Sequence, residues 1–302
     1  MGGVCLLAGF YPWVAMWVLL GPESDIIPQL TILACSALLT ILGLVDDRRH
    51  LPASFRLLAC ALLISLTLFI VPSLVLQQIS WNYDAGAIGL PVGRFAYSAL
   101  CIVALIQAAN LADGKNGLLI GLSLAWVYFL TVELPAGISP MLLALSGVLF
   151  VLLSFNLSGR LFLGDGGSYG LATLIGFMAL LTANSPTGDA SSDQVALIFL
   201  LPVIDMLRLI IVRVARGKSP FSGDRDHLHH HLLAAFGWPG GLVVYLMTAT
   251  LPSFIAAAAP RHTLSLIAIT MAAYFLIIIY ARWASRRKHE QTASVKADER
   301  SA

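Results

Sequence analysis

Apolar runs long enough to cross a bilayer recur along this chain and decide what it can fold into. At 1.5 Å per residue, about 20 apolar residues span the roughly 30 Å hydrocarbon layer. Ten such windows are read here, at about 4–20, 29–45, 57–77, 94–112, 117–134, 140–156, 167–184, 195–214, 240–258 and 263–281. Only 11% of the 302 residues are charged, against about 25% in a soluble domain. Lipid offers the backbone no hydrogen-bond partners, so spanning segments are helices or a closed barrel, and windows of this length mean helices. The expected fold is therefore all-α: a polytopic integral membrane protein with about ten transmembrane helices.

The basic residues give the orientation. With ten spans, all of the 18 lysines and arginines except Arg94 and Arg261 fall on one side. That side is read as cytoplasmic, with both termini on it. On the other side, QQISWNYDAGAIGLPVG alternates polar and apolar residues around Asp84-Ala85-Gly86 and is expected to form a short β-hairpin. Cys5, Cys35, Cys60 and Cys101 sit in apolar runs without CxxC spacing; they read as small buried hydrophobes and support neither a disulfide framework nor a zinc site. A net charge of +2 leaves no electrostatic footprint for nucleic acid. No basic region precedes the first window, so no cleavable signal peptide is expected. Residues 286–302 are charged, then small and polar, and are expected to be a disordered cytoplasmic tail after a transmembrane domain at 1–285.

Four polar clusters share the cytoplasmic side. In FNLSGRLFLGDGGSYG (155–170) a charged, glycine-rich turn lies between two apolar windows. Such a turn is either a loop in which an N-cap Asp starts the next helix near Gly166, or a working site. In the second case its glycines let a ligand approach the backbone, and Asp165 holds a cation or a proton. Asp46-Asp47 closes the second window, and adjacent carboxylates repel. Either Arg48, Arg49 and Arg56 compensate them structurally, or one carboxylate engages a phosphate-bearing substrate or a metal. NLADGKNGL (110–118) reads as a helix C-cap followed by an N-cap. Yet Asn110 ends an unbroken apolar helix and needs a partner there, which an oxygen-ligated metal would supply. The longest cytoplasmic connection, 215–237, carries His227, His229, His230 and His231. A zinc site there lacks any cysteine; a solvated amphipathic helix is a second reading. The third is phosphate binding by the imidazoles with Arg213, Arg216, Lys218 and Arg225. Asp205 and Arg208, three apart in the eighth window, are read as an ion pair on one helix face. Hard oxygen ligands and abundant cations point to magnesium and phosphate chemistry. The residues alone support a membrane enzyme acting on a phosphate or diphosphate at the cytosolic surface.

LVDD (44–47), NLADGKNGL (110–118), FNLSGRLFLGDGGS (155–168), PVID (202–205) and DRDHLHHH (224–231) occur in that order. Together they resemble the polyprenyl-phosphate N-acetylaminosugar-1-phosphate transferases, a glycosyltransferase 4-like family of bacterial inner membranes. The resemblance implies transfer of a sugar 1-phosphate from a UDP-sugar to undecaprenyl phosphate, giving a lipid-linked sugar diphosphate and UMP. This is the first membrane step of O-antigen, teichoic acid or related cell-surface polysaccharide synthesis. It implies Mg²⁺, with Mn²⁺ as a substitute, on Asp165 and Asn110, and Asp46 and Asp47 at the lipid phosphate. Asp113 and Asn116 would line the nucleotide pocket with Phe162 near the base, and Arg225, His227, His229 and His230 would bind the donor diphosphate. Asn116, where the peptidoglycan enzyme has a second Asp, and the SPFSGD lead-in are similar to the branch using UDP-GlcNAc. Phospho-MurNAc-pentapeptide transfer is the alternative within the family, and a non-catalytic or transport protein the alternative outside it. Family members carry a further span before the segment matching Gly2-Gly3, so this chain is expected to lack the family's first span. The implied partners are the UDP-sugar, undecaprenyl phosphate and the bilayer, not nucleic acid, with a homodimer left open.

Overall fold

The computed structural model describes residues 2–20, 26–133, 139–185, 190–221 and 226–301. Every predicted window contains a helix. The first is a rod made of α1 (Gly2–Cys5), a π-helical turn (Leu6–Phe10) and α2 (Tyr11–Leu20). It is followed by α3 (Ile26–Arg49), α4 (Ala53–Ile70), α5 (Arg94–Ala112), α6 (Leu118–Glu133), α7 (Ser139–Leu157) and α8 (Gly164–Asn184). Then come α9 (Ser192–Ala215), the short α10 (Leu228–Phe236), α11 (Gly240–Ala258) and α12 (Thr263–Ser301). Among the described residues nine helices are long and apolar enough to cross a membrane, and α6, at 16 residues, is a shorter apolar helix.

Most helix ends fall within a few residues of the expected windows, and the ends of α4 and α12 lie farthest from them. The third apolar window extends to residue 77, but α4 stops at Ile70 and a 3₁₀ turn follows at Pro72–Leu74. Proline has no N–H to donate and pushes the residue before it out of helical geometry. Leu74, Val75 and Leu76 are buried all the same, which is why the apolar run looked longer than the helix. α8 begins at Gly164, ahead of the expected 167. The backbone of α12 runs on as helix to Ser301, through the tail that composition suggested was disordered.

α8 is the axis of the bundle: every residue from Gly166 to Leu180 is buried, and α1, α3, α5 and α6 pack around it. Membrane helices pack closely where small residues let backbones approach. A Cβ at Gly170 would lie 1.9 Å from Thr40 Oγ1 and 2.8 Å from the Tyr11 hydroxyl. The hydroxyls there satisfy one another: Tyr11 and Ser36 are 2.5 Å apart, and Ser36 donates to the Gly170 carbonyl at 2.7 Å. Cys35 and Cys60 are buried in the bundle as expected, whereas Cys5 and Cys101 are exposed on outward faces; all four thiols are free.

The hairpin forms as predicted. β1 (Gln78–Trp81) pairs antiparallel with β2 (Gly86–Gly89), Trp81 opposite Gly86. The Trp81 Nε1–H donates to Asp84 at 2.6 Å. Asn82 Nδ2 reaches Ser191 Oγ (2.6 Å) and Gln194 Oε1 (2.7 Å), and Gln77 N–H donates to Asn184 at 3.1 Å. The hairpin therefore sits on the ends of α8 and α9 opposite Gly164 and Ala215, where the polar clusters gather.

Candidate active site

The first turn of α8 organises those clusters. Asp165 is the second residue of that helix and not its cap, and Leu163, in the cap position, offers no side-chain bond. A helix start presents unpaired N–H groups and a partial positive charge that draw anions. Carboxylates from two other segments take them. The Asp165 N–H donates to Asp47 Oδ1 at 2.9 Å and the Gly166 N–H to Asp47 Oδ2 at 3.4 Å, while the Gly164 N–H donates to Asp113. The glycines serve this approach of helix to helix. Gly164 has φ +70°, and a Cβ there would lie 2.7 Å from Asp47 Oδ2; one at Gly43 would lie 2.3 Å from the Asp165 carbonyl oxygen. These glycines admit α3 to the start of α8.

Asp165 Oδ1 accepts from Asn110 Nδ2 at 2.7 Å, and the same amide nitrogen lies 3.2 Å from Ser168 Oγ. The partner that Asn110 required is therefore Asp165. Asp46 is buried, accepts the Leu51 N–H at 2.8 Å and holds Arg56 Nη1 at 2.5 Å. The same Nη1 is 3.5 Å from Asp165 Oδ2, and the Asp46 and Asp165 carboxyls also contact each other. Of the three arginines expected to compensate the paired aspartates, Arg56 forms the ion pair, and Arg48 and Arg49 are exposed. Burial, opposed by the Gly164 N–H and reinforced by the charges of Asp165 and Asp47, pushes Asp113 up to about 7.

Among the described residues, no group of three or more His, Cys, Asp or Glu is placed to hold a metal ion. The site instead offers a carboxylate and an amide within 2.7 Å of each other, Asp165 and Asn110, in a nest of further carboxylates. Mg²⁺ takes one or two protein oxygens and draws the rest from water and phosphates, so the donor set fits that ion.

Two loops close the site. Asn156, which the sequence reading passed over, is buried and stitches them together. Its Oδ1 accepts the Gly117 N–H at 2.5 Å and its Nδ2 donates to the Leu161 carbonyl at 2.8 Å. An amide at the end of an apolar helix was the available signal, as it was for Asn110. The Asn116 carbonyl accepts Trp238 Nε1–H at 2.9 Å, and Phe162 is 61% exposed on the second loop.

The histidine helix α10 is anchored from the bundle. Asp205 accepts the Leu228 N–H (3.2 Å) and the Tyr274 hydroxyl (2.7 Å), pairs with Arg208 at 3.0 Å as expected, and lies 3.5 Å from His227 Nδ1. Against the cost of burial, bonds from His231 and Arg282 hold Asp226 below the usual carboxylate range, so His231 belongs to that network. His227, His229 and His230 instead cluster, with ring centroids 4.3–6.2 Å apart. His229 is buried, and its Nε2 finds no partner among the described residues. A Cβ at Gly114 would lie 2.4 Å from that nitrogen, so the histidine helix abuts the NLADGKNGL loop. Burial and the two neighbouring imidazoles push His229 down to about 3. Arg213, one of the expected phosphate-facing cations, is buried and donates to the Pro220 carbonyl at 2.8 Å. Arg225 lies outside the described residues.

A family model described as glycosyl transferase family 4 matches residues 29–183, half of the chain and all but the histidine end of this site. An undecaprenyl-phosphate alpha-N-acetylglucosaminyl 1-phosphate transferase of Yersinia pestis is 31% identical over 250 residues, covering 76% of this chain and 66% of the relative. The protein of the same description from Salmonella typhi is 29% identical, covering 78% and 66%. A probable undecaprenyl-phosphate N-acetylglucosaminyl 1-phosphate transferase of Bacillus subtilis is 29% identical, covering 70% and 60%. The chain thus spans somewhat less than two thirds of the length of these relatives.

Proposed function

The chain belongs to glycosyl transferase family 4, and on that premise we propose that it transfers GlcNAc 1-phosphate from UDP-GlcNAc to undecaprenyl phosphate, releasing UMP. The observation that carries the reading is the convergence on one helix start of Asp46, Asp47, Asn110, Asp113 and Asp165, drawn from three separate motifs. The names of the relatives favour GlcNAc over a MurNAc-pentapeptide donor. The charge asymmetry of the loops supports a site facing the cytoplasm, with both termini on the same side; the bacterial inner membrane is the location that the family resemblance implies.

In this reading an oxygen of the lipid phosphate attacks the sugar-bearing phosphorus of the donor. The bond from that phosphorus to the bridging oxygen breaks, and UMP leaves with the electron pair. The nucleophile needs no strong base, because a phosphate monoester has its second pKa near 6. That suits Asp46 and Asp47, both of which are engaged: Asp46 by Arg56 and the Leu51 N–H, Asp47 by the α8 amides. They act as positioning groups, holding Arg56 and the turn that carries Asp165. Asp165 and Asn110 would hold Mg²⁺, which neutralises the diphosphate and the departing phosphate when bound. His229, kept neutral, donates or accepts a hydrogen bond toward the donor without adding charge, and exposed Phe162 packs on the nucleobase. Incubating the purified chain with UDP-GlcNAc, undecaprenyl phosphate and Mg²⁺ should release UMP; no UMP from any UDP-aminosugar, beside an active relative, would refute the proposal. A phospho-enzyme isolated in the absence of lipid acceptor would overturn the direct attack.

A further inference from the structure

We propose that Arg56 is a resident counter-cation of this site, which a divalent ion displaces from Asp165, so that the chain carries its own competitor for the metal. The inference rests on the metal reading of Asp165 given above. Arg56 leaves the first turn of α4, and its Nη1 touches carboxylates on two other helices, Asp46 Oδ2 at 2.5 Å and Asp165 Oδ2 at 3.5 Å. The two contacts differ in kind. The first is a charge-assisted hydrogen bond to a carboxylate only 2% exposed, which is costly to break because it would leave a buried charge unpaired. The second is a longer ion pair to a carboxylate 30% exposed, held without hydrogen-bond geometry and so open to exchange.

The surroundings explain why a cation is needed there at all. Asp46, Asp47, Asp113 and Asp165 crowd one helix start, and like charges at such range oppose joint ionisation. With no metal, the guanidinium supplies the compensation that keeps α3 and α8 together. A divalent ion brings twice the charge to the same carboxylate and accepts oxygen ligands at short range. It therefore wins Asp165, while Arg56 stays with Asp46. An exchangeable, partly exposed pair of this type attenuates metal affinity by about fivefold.

The test uses the full chain in lipid nanodiscs, titrated with Mn²⁺ alone and read by the EPR signal of the free ion, with no substrate present. Arg56→Gln should bind Mn²⁺ about fivefold more tightly than the wild type, and Arg56→Lys, which keeps the charge, should stay near it. Wild-type affinity or weaker binding in Arg56→Gln overturns the proposal. A wild-type chain that binds no Mn²⁺ overturns the metal reading itself and this inference with it. Should Arg56→Gln fail to fold, ¹⁵N-arginine labelling of the wild type decides. The Arg56 Nε–H resonance, assigned by its loss in Arg56→Lys, should move on Mg²⁺ saturation, and an unmoved resonance in a metal-binding sample overturns the idea.

Discussion

Replacing Gly43 by alanine tests whether the contact of α3 with α8 sets the geometry of the site. A Cβ at Gly43 would stand 2.3 Å from the Asp165 carbonyl oxygen and 2.4 Å from its carbonyl carbon. These are main-chain atoms of a buried helix, so no rotamer can yield. Restoring ordinary contact needs about 1 Å of separation, in line with the cost of overpacking a close-packed core, about 1–3 kcal/mol. The same movement would stretch the 2.9 Å bond from the Asp165 N–H to Asp47 beyond hydrogen-bonding range. A misplacement of that size at a reacting centre costs about 100-fold in rate. Gly43→Ala should therefore lose about two orders of magnitude in kcat for UMP release while still unfolding cooperatively in a thermal scan. Gly147→Ala is the control: nothing lies within 4 Å of a Cβ there, and an alanine in mid-helix should gain about 0.5–1 kcal/mol at unchanged activity. Wild-type turnover by Gly43→Ala would refute the argument that the glycines are there for helix approach.

The remaining predictions address the charges. Asp165→Ala should abolish UMP release, whereas Asp84→Ala, which removes only the acceptor for Trp81 in the hairpin, should leave it near wild type; equal losses would refute the separation of the two ends. Asp113 has a folded pKa raised to about 7, above the ordinary value near 4. Its contribution to stability is thus full below about pH 4 and is lost as pH rises through about 7. In metal-free buffer the wild-type unfolding midpoint should fall across that range relative to Asp113→Asn, and parallel profiles would refute the shift. Tyr274→Phe removes a 2.7 Å donor from Asp205, which should cost about 1 kcal/mol and raise KM for the UDP-sugar several-fold. A change confined to KM for the lipid acceptor would count against α10 as part of the donor pocket.

The spans, the hairpin and the grouping of polar motifs at one end were legible because each rests on a local signal: apolar run length, alternation around Asp84-Ala85-Gly86, and the sidedness of the basic residues. The roles of single polar residues were less so, because a side chain's partner lies on another helix. Asp165 looked like a possible cap for its own helix, yet the caps come from Asp47, 118 positions away, and from Asp113. Arg48, Arg49 and Arg56 were equivalent on the sequence, and only the turn from α3 into α4 decides that Arg56 folds back onto Asp46. Asn156 gave the same hint as Asn110, an amide closing an apolar helix, but its backbone partners at Gly117 and Leu161 have no sequence signature.

The glycines carry the deepest consequence of that difference. A glycine-rich turn before a helix suggests an open cradle for an anion, and here the protein has filled the cradle with its own carboxylates. Under the proposed function a diphosphate is drawn to this helix start through cations, since Asp47 and Asp113 already accept the amides of its first turn. The chemistry this permits is one in which positive charge is brought to the carboxylates, by Arg56 in the chain itself and by Mg²⁺ under the proposed function. The same carboxylates that make the site hostile to a bare phosphate would then make it selective for a phosphate that arrives with its metal.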